Sequence, residues 1–138
     1  MVSDASPESI RASTDSSLKR LKLDHIDLFY LHHQDPNVEP EVVADTMAEL
    51  IKVGKIRYWG ISNATSEFIE KADDVCKVTA VQLRLSMMAR ENESYLPMLE
   101  KRNIGFVAYS PLANGFLTSG KKQTARSYDK LYFRNLMP

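Results

Sequence analysis

Cysteine is almost absent from this chain of 138 residues, in which Cys76 is the single one. One cysteine excludes an internal disulfide framework and suits a reducing compartment, so we expect a cytoplasmic protein. Net charge is also absent, because 18 Lys and Arg residues balance 18 Asp and Glu residues. This balance gives no electrostatic reason to expect a nucleic acid or an anionic membrane as the partner.

Long apolar runs are missing as well. No stretch approaches the ~20 apolar residues that cross a bilayer, and residues 1–9 have neither the basic nor the apolar region of a secretory signal. The length allows one domain at most, with a buried core. A hydrophobic content of 43% and a charged content of 26% are ordinary for a soluble globular domain.

Four short apolar runs are present, and each one leads into polar residues. We interpret all four as strands, and the first, 26–31, is too short and too continuous for an amphipathic helix and is typical of a parallel strand buried on both faces. The runs are 26–31, 58–61, 79–82 and 104–109, with His32, Ser62, Asn63, Gln82, Tyr109 and Ser110 at their ends. If the strands are parallel, these polar side chains share one rim of one sheet, where α/β proteins place their chemistry.

Helical patterns separate the strands. Ser6, Pro7 and Glu8 form a helix start, with a capping serine, a proline in the first turn and an acid near the positive helix end. The predicted helices cover residues 7–22, 40–52, 66–72 and 93–102, and Pro97 fits the last one only in its first turn. This alternation predicts βα repeats with right-handed crossovers and a parallel sheet.

Four sequence motifs point to a known family. They are residues 17–32 (SLKRLKLDHIDLFYLH), 54–63 (GKIRYWGISN), 81–82 (VQ) and 107–117 (VAYSPLANGFL). In this order and spacing the motifs resemble strands four to seven of the aldo-keto reductases. The resemblance implies an α/β fold, a partial (β/α)8 TIM barrel of about four parallel βα units over residues 1–120, with 121–138 as a loop or tail.

The resemblance also implies a chemistry. In that family a hydride passes from a nicotinamide cofactor to an aldehyde or ketone without a Rossmann G-x-G-x-x-G motif, which this chain also lacks. His32 is the implied catalytic histidine, which orients the substrate carbonyl. The implied cofactor is NADPH, with NADH left open. Its implied contacts are Ser62, Asn63 and Gln82 with the carboxamide, Tyr109 with the nicotinamide ring, and Ser110, Leu112 and Asn114 along the pyrophosphate.

The residue types suit these implied roles. Serine, asparagine and glutamine offer the donors and acceptors that a carboxamide needs, and an aromatic face can fix one side of a nicotinamide. Each residue also has a structural alternative: Gln82 and Tyr109 could be ordinary core residues, and Cys76 an inert thiol. His25, His32, His33 and Asp35 do not match a metal-ligand spacing, and we expect His32 and His33 to point in opposite directions.

The chain departs from the family in the units that it lacks. Units one to three and unit eight have no counterpart, and the catalytic aspartate, tyrosine and lysine belong to the first three. Leu85 stands where a tyrosine is expected after Gln82, and Arg84 stands at an acidic or amide position. We therefore expect an oxidoreductase by ancestry that does not turn over as an isolated chain. The alternatives are a non-catalytic nicotinamide-binding or regulatory module, or a gene fragment.

Half a barrel leaves two sheet edges open. It also leaves the inner-face side chains, which are Leu28, Tyr30, Tyr58 and Val107 beside Gly60, without partners across the barrel. We therefore expect a homodimer or a complementing fragment as the protein partner. A small carbonyl compound is the expected substrate.

Overall fold

The computed structural model of the chain describes residues 3–113 and 117, in which helices and strands alternate. The strands are β1 (Ile26–Leu31), β2 (Ile56–Ser62), β3 (Ala80–Arg84) and β4 (Gly105–Tyr109). The helices are α1 (Pro7–Leu21), α2 (Pro40–Lys52), α3 (Ser66–Val75) and α4 (Leu96–Lys101), and a 3-10 helix covers Glu91–Tyr95. In this part of the chain no helix has the length and apolarity needed to cross a membrane.

The four strands form one open parallel sheet in the order β1-β2-β3-β4. The register pairs Tyr30 with Gly60, Ser62 with Gln82 and Arg84 with Tyr109. Because the strands are parallel and sequential, all their carboxyl ends lie on one rim, and the intervening helices return the chain to the opposite end. The architecture is that of half a (β/α)8 barrel, as the sequence predicts.

The hydrophobic core lies between the helices and one face of the sheet. Trp59 and Ile61 of β2 are completely buried, and they belong to one cluster with Val81 of β3, Met47 of α2 and Ile69 of α3. Along each strand these residues alternate with residues of the other face, because successive strand side chains point to opposite faces. The helices therefore cover only one face of the sheet.

The other face, which we call the inner face, has no covering layer among the described residues. Leu28 is 37% exposed, Tyr58 57% and Val107 39%, although all three are large apolar or aromatic side chains. The prediction that the first strand is buried on both faces is therefore wrong. An apolar run of this kind anticipates a closed barrel, whereas four strands supply only half of one.

Local signals set the helix ends. The Ser6 hydroxyl accepts a hydrogen bond from the Ser9 amide at 3.3 Å at the start of α1, and Gly54 follows α2 with a φ of 76°. The predicted helix 93–102 is wrong in extent, because α4 begins only at Leu96, after the 3-10 helix. Pro97 lies in the first turn of α4, where backbone N–H groups have no intrahelical acceptor, so the lack of an N–H in proline costs no hydrogen bond there. The predicted tail 121–138 lies outside the described residues.

A buried carboxylate ties α3 to the neighbouring connections. The Asp73 side chain is 7% exposed and accepts hydrogen bonds from the Val78 amide at 2.9 Å, from Lys77 Nζ at 3.0 Å and from Arg102 Nη1 at 3.1 Å. This network lies at the amino ends of the strands, away from the polar rim, and we assign it to stability.

Candidate functional site

Asn63, the first residue after β2, joins the carboxyl ends of all four strands. Its side-chain Nδ2 donates to the His32 carbonyl oxygen at 3.1 Å, just beyond β1. Its Oδ1 accepts from the Tyr109 hydroxyl at 3.0 Å, at the end of β4. Its backbone N–H donates to the Gln82 carbonyl oxygen in β3 at 3.4 Å. The structure therefore brings these four sequence-predicted residues to one rim.

The backbone of Asn63 is unusual, because its φ is 50°. Asparagine is among the few residues that adopt this left-handed region readily. The conformation accompanies a side chain whose second Nδ2 hydrogen reaches the Ser62 hydroxyl oxygen at 2.9 Å. Ser62 is itself buried, so in this structure its hydroxyl orients Asn63.

The Tyr109 side chain reaches from β4 to the end of β2 at the rim. It is the last residue of β4 and lies half-buried on the inner face, opposite Arg84 of β3. Its hydroxyl passes over β3 to reach Asn63. This hydrogen bond holds the phenol ring in place at the rim, where one aromatic face can meet a planar ligand.

The donor and acceptor groups at the rim suit a carboxamide. The side-chain amide of Gln82 is half-buried and makes no hydrogen bond to any residue from 3 to 113, so its donor and acceptor are both available. Both Nδ2 hydrogens of Asn63 are engaged, while Oδ1 keeps a second lone pair. Gln82 and Asn63 Oδ1 therefore fit the amide of a nicotinamide, whereas Ser62 faces Asn63.

His32 lies just past the end of β1 with an exposed side chain. Its ring centroid is 4.3 Å from that of His33, and the ring planes are tilted by 60°. The prediction that these two side chains point apart is wrong, because both residues lie beyond the strand and its alternation. Both rings line a cavity of about 240 Å³ between α1 and β1. No hydrogen bond to the His32 imidazole exists within residues 3–113.

Tyr30 lies two residues deeper in β1 and borders the same cavity. Its ring covers Gly60 so closely that a Cβ there would lie 2.5 Å from Tyr30 Cε1. Burial raises the pKa of the Tyr30 phenol, so the hydroxyl stays protonated at neutral pH. Within residues 3–113 no lysine is bonded to this phenol, so it lacks the tuning that a catalytic proton donor needs.

The predicted pyrophosphate residues follow β4. Ser110 is half-buried with a φ of 53°, and its carbonyl oxygen accepts from the Ala113 amide at 2.9 Å, which makes a turn. Leu112 lies in this turn with an exposed side chain. Asn114 lies outside the described residues. Among residues 3–113 no group of three or more His, Cys, Asp or Glu side chains could hold a metal ion.

The hydrogen bonds of two side chains near the rim, Gln34 and Asp35, were not predicted from the sequence. Gln34 Oε1 accepts from the Thr65 amide at 2.8 Å, which joins the loops after β1 and β2. The Asp35 carboxylate accepts from the Asn37 amide at 2.9 Å and from the Ala5 amide at 3.2 Å, and these hydrogen bonds lower its pKa. An Asp-Pro pair signals a turn, but nothing local in the sequence signals the long-range bond to Ala5.

The chain belongs to the aldo/keto reductase family. The sequence profile of that family matches residues 1–135. The open four-stranded sheet and the polar rim are the parts of that fold that the described residues contain.

Solved structures of similar proteins agree with this assignment. A glycerol dehydrogenase from Gluconobacter oxydans is 32% identical with a TM-score of 0.80, over 92% of this chain and 41% of its own. The holo form of an aldo-keto reductase from Bacillus halodurans is 27% identical with a TM-score of 0.79, over 86% of this chain and 40% of its own. An aldo/keto reductase from Klebsiella pneumoniae, in complex with NADP and acetate, is 28% identical with a TM-score of 0.72, over 84% of this chain and 42% of its own. The chain thus spans about two fifths of each of these proteins.

Proposed function

We propose that this chain forms the nicotinamide-binding half of an oxidoreductase that reduces an aldehyde or ketone to an alcohol with NAD(P)H. The observation that carries the proposal is the contact of Asn63 with the ends of all the other strands. That contact gathers an amide, a phenol and a free glutamine side chain on one rim. A planar ring that bears a carboxamide needs such a set.

The proposed cofactor is NADPH, and a relative in complex with NADP supports this choice. Gln82 and Asn63 Oδ1 bind the carboxamide, and Tyr109 covers one face of the ring. Ser110, Leu112 and Asn114 follow the pyrophosphate. When bound, the cofactor supplies the hydride that the carbonyl carbon receives. The protein side chains fix which face of the ring meets the substrate.

The proposed role of His32 is to donate a hydrogen bond to the substrate carbonyl oxygen, where negative charge develops. Reduction also needs a proton donor, and the chain offers no tyrosine with a neighbouring lysine and aspartate among residues 3–113. We therefore expect the isolated chain to bind the cofactor without turnover. The second candidate is a non-catalytic nicotinamide-binding or regulatory module, which the same lack of a tuned proton donor favours.

Calorimetric titration with NADPH and, separately, with NADH tests cofactor binding. Tyr109→Ala removes the aromatic face and should weaken binding about tenfold, whereas Tyr109→Phe keeps the face and should retain most of the affinity. Tyr95→Phe removes the hydroxyl of a tyrosine that packs against the hydrophobic core, and it is the matched control. No binding of either cofactor would contradict the proposal, as would equal losses in the two Tyr109 variants.

Turnover is tested separately by following NADPH absorbance with 4-nitrobenzaldehyde. Binding without oxidation of NADPH supports the isolated chain as a binding half, and turnover that His32→Ala abolishes would instead make the chain an enzyme by itself.

We further propose a cytoplasmic location, a small carbonyl substrate, a domain boundary near residue 120, and a protein partner at the open sheet edges, either a second copy or a complementing fragment.

A further inference from the structure

A slot runs along the free edge of β1. The cavity of about 240 Å³ is lined by Phe29, Tyr30 and Leu31, three successive residues whose side chains alternate between the two faces. A cavity that all three line must follow the edge of the strand. Ser9 and Ile10 of α1 form its other wall. Helix α1 is tied to α2 by the ion pair of Arg11 with Glu49, which keeps it beside this edge of the sheet.

The opposite edge of the sheet is β4, whose outward backbone groups pair with no other strand among residues 3–113. Gly105 donates its amide to Thr79, and the Tyr109 carbonyl accepts from Leu85, so these two residues of β4 face β3. Backbone groups of a strand alternate in direction, so those of Phe106 and Ala108 face the free edge. Neither β4 nor β1 contains the lysine or proline with which natural edge strands avoid pairing.

Sheet topology makes the two edges compatible. All strands run in the same direction in sequential order, so β4 of one copy can lie parallel to β1 of another. When two copies do this reciprocally, the four described strands of each copy form a set of eight in which both edges of each sheet are paired. Eight is the number at which side chains just fill the interior of a closed barrel. The exposed Leu28, Tyr58 and Val107 would then become interior residues.

We propose that two copies of this chain close one eight-stranded barrel, with β4 of each copy in the slot beside β1 of the other. This pairing deepens the proposed partner at the open edges and commits it to a second copy. It is independent of cofactor binding. A single added strand would leave the sheet with an edge, whereas the twofold arrangement uses both edges of both copies at once.

Light scattering during size-exclusion chromatography, repeated over a wide range of protein concentration, measures the mass of the particle. We expect twice the mass of one chain. Ala108→Pro removes an edge N–H that no strand of the same copy uses, and edge strands tolerate proline. The substitution occurs at both contacts of the twofold pair, so the dissociation constant should rise by about tenfold or more. Ala108→Thr keeps the N–H and is the matched control.

A second pair of variants tests the interior. Tyr58→Glu places a carboxylate on the inner face, and this carboxylate is solvated in a single copy but loses its water in the closed barrel. The variant should therefore be monomeric and retain its helical circular dichroism. Val53→Glu, at an exposed position just after α2, should leave the dimer intact. A monomeric wild-type chain would overturn the proposal, as would a co-purified fragment in place of the second copy or a dimer insensitive to both Ala108→Pro and Tyr58→Glu. NADPH titration of the same samples reports separately on the proposed function.

Discussion

The hydrogen bond between Asn63 and Tyr109 should couple the ends of β2 and β4 energetically. Tyr109→Phe removes one half-buried hydrogen bond and should lower the free energy of unfolding by about 1 kcal/mol. Asn63→Gly removes three side-chain hydrogen bonds but relaxes a φ of 50°, so a loss of about 2 kcal/mol is expected. Asn63→Ala should be worse by a further ~1 kcal/mol, because alanine resists positive φ.

Urea unfolding followed by circular dichroism measures these values, at one fixed protein concentration because association of copies would change the apparent stability. The double variant of Asn63→Gly with Tyr109→Phe should lose about 1 kcal/mol less than the sum of the two single variants, since both remove the same bond. Strictly additive losses would refute the contact between the two side chains. Equal stability of Asn63→Ala and Asn63→Gly would refute the left-handed backbone.

Three further predictions concern the scaffold around the rim. Gly60→Ala should lower the free energy of unfolding, measured in urea, by about 1–3 kcal/mol, because the added Cβ would lie 2.7 Å from a backbone oxygen of β3. Gly105→Ala should lower it less, because the nearest backbone oxygen would lie 3.4 Å from the added Cβ. Asp73→Ala should lose about 2 kcal/mol by the same assay because the amide of the buried Val78 loses its acceptor, whereas the neighbouring exposed Asp74→Ala should lose under ~1 kcal/mol. The lowered pKa of Asp35 contributes stability that is fully present above about pH 4 and is lost as the pH falls through its folded pKa. The melting temperature of Asp35→Asn should therefore depend less on pH in acid than that of the wild-type chain.

The rim could be predicted from the sequence because two short-range facts fix it. Apolar runs separated by helical patterns imply parallel strands, and parallel strands place their last residues together. His32, Asn63, Gln82 and Tyr109 were therefore predicted on one rim, and the backbone and side-chain bonds of Asn63 confirm that they meet there. Their assigned roles toward the cofactor stay a proposal.

The details of the rim could not be predicted from the sequence, because they depend on distances between strands that are far apart in the chain. The reach of the Tyr109 hydroxyl over β3 to Asn63 depends on how far β4 lies from the end of β2, which no local pattern sets. His32 and His33 come together because β1 ends at Leu31, as predicted, so the alternation of strand side chains does not extend to these two residues. Tyr58 is exposed because the four described strands form an open sheet with no opposing strands to cover its inner face, and no local pattern sets the number of strands.

Amide chemical shifts in a nitrogen-15 labelled sample titrated with NADPH show whether the strand ends form a nicotinamide site. We expect shifts of the side-chain amides of Asn63 and Gln82 and of the backbone amide of Ser110. The backbone amides of Lys55 and Asn103, at the opposite end of the sheet, should stay unchanged. Shifts confined to that opposite end, or no shifts at saturating NADPH, would contradict such a site.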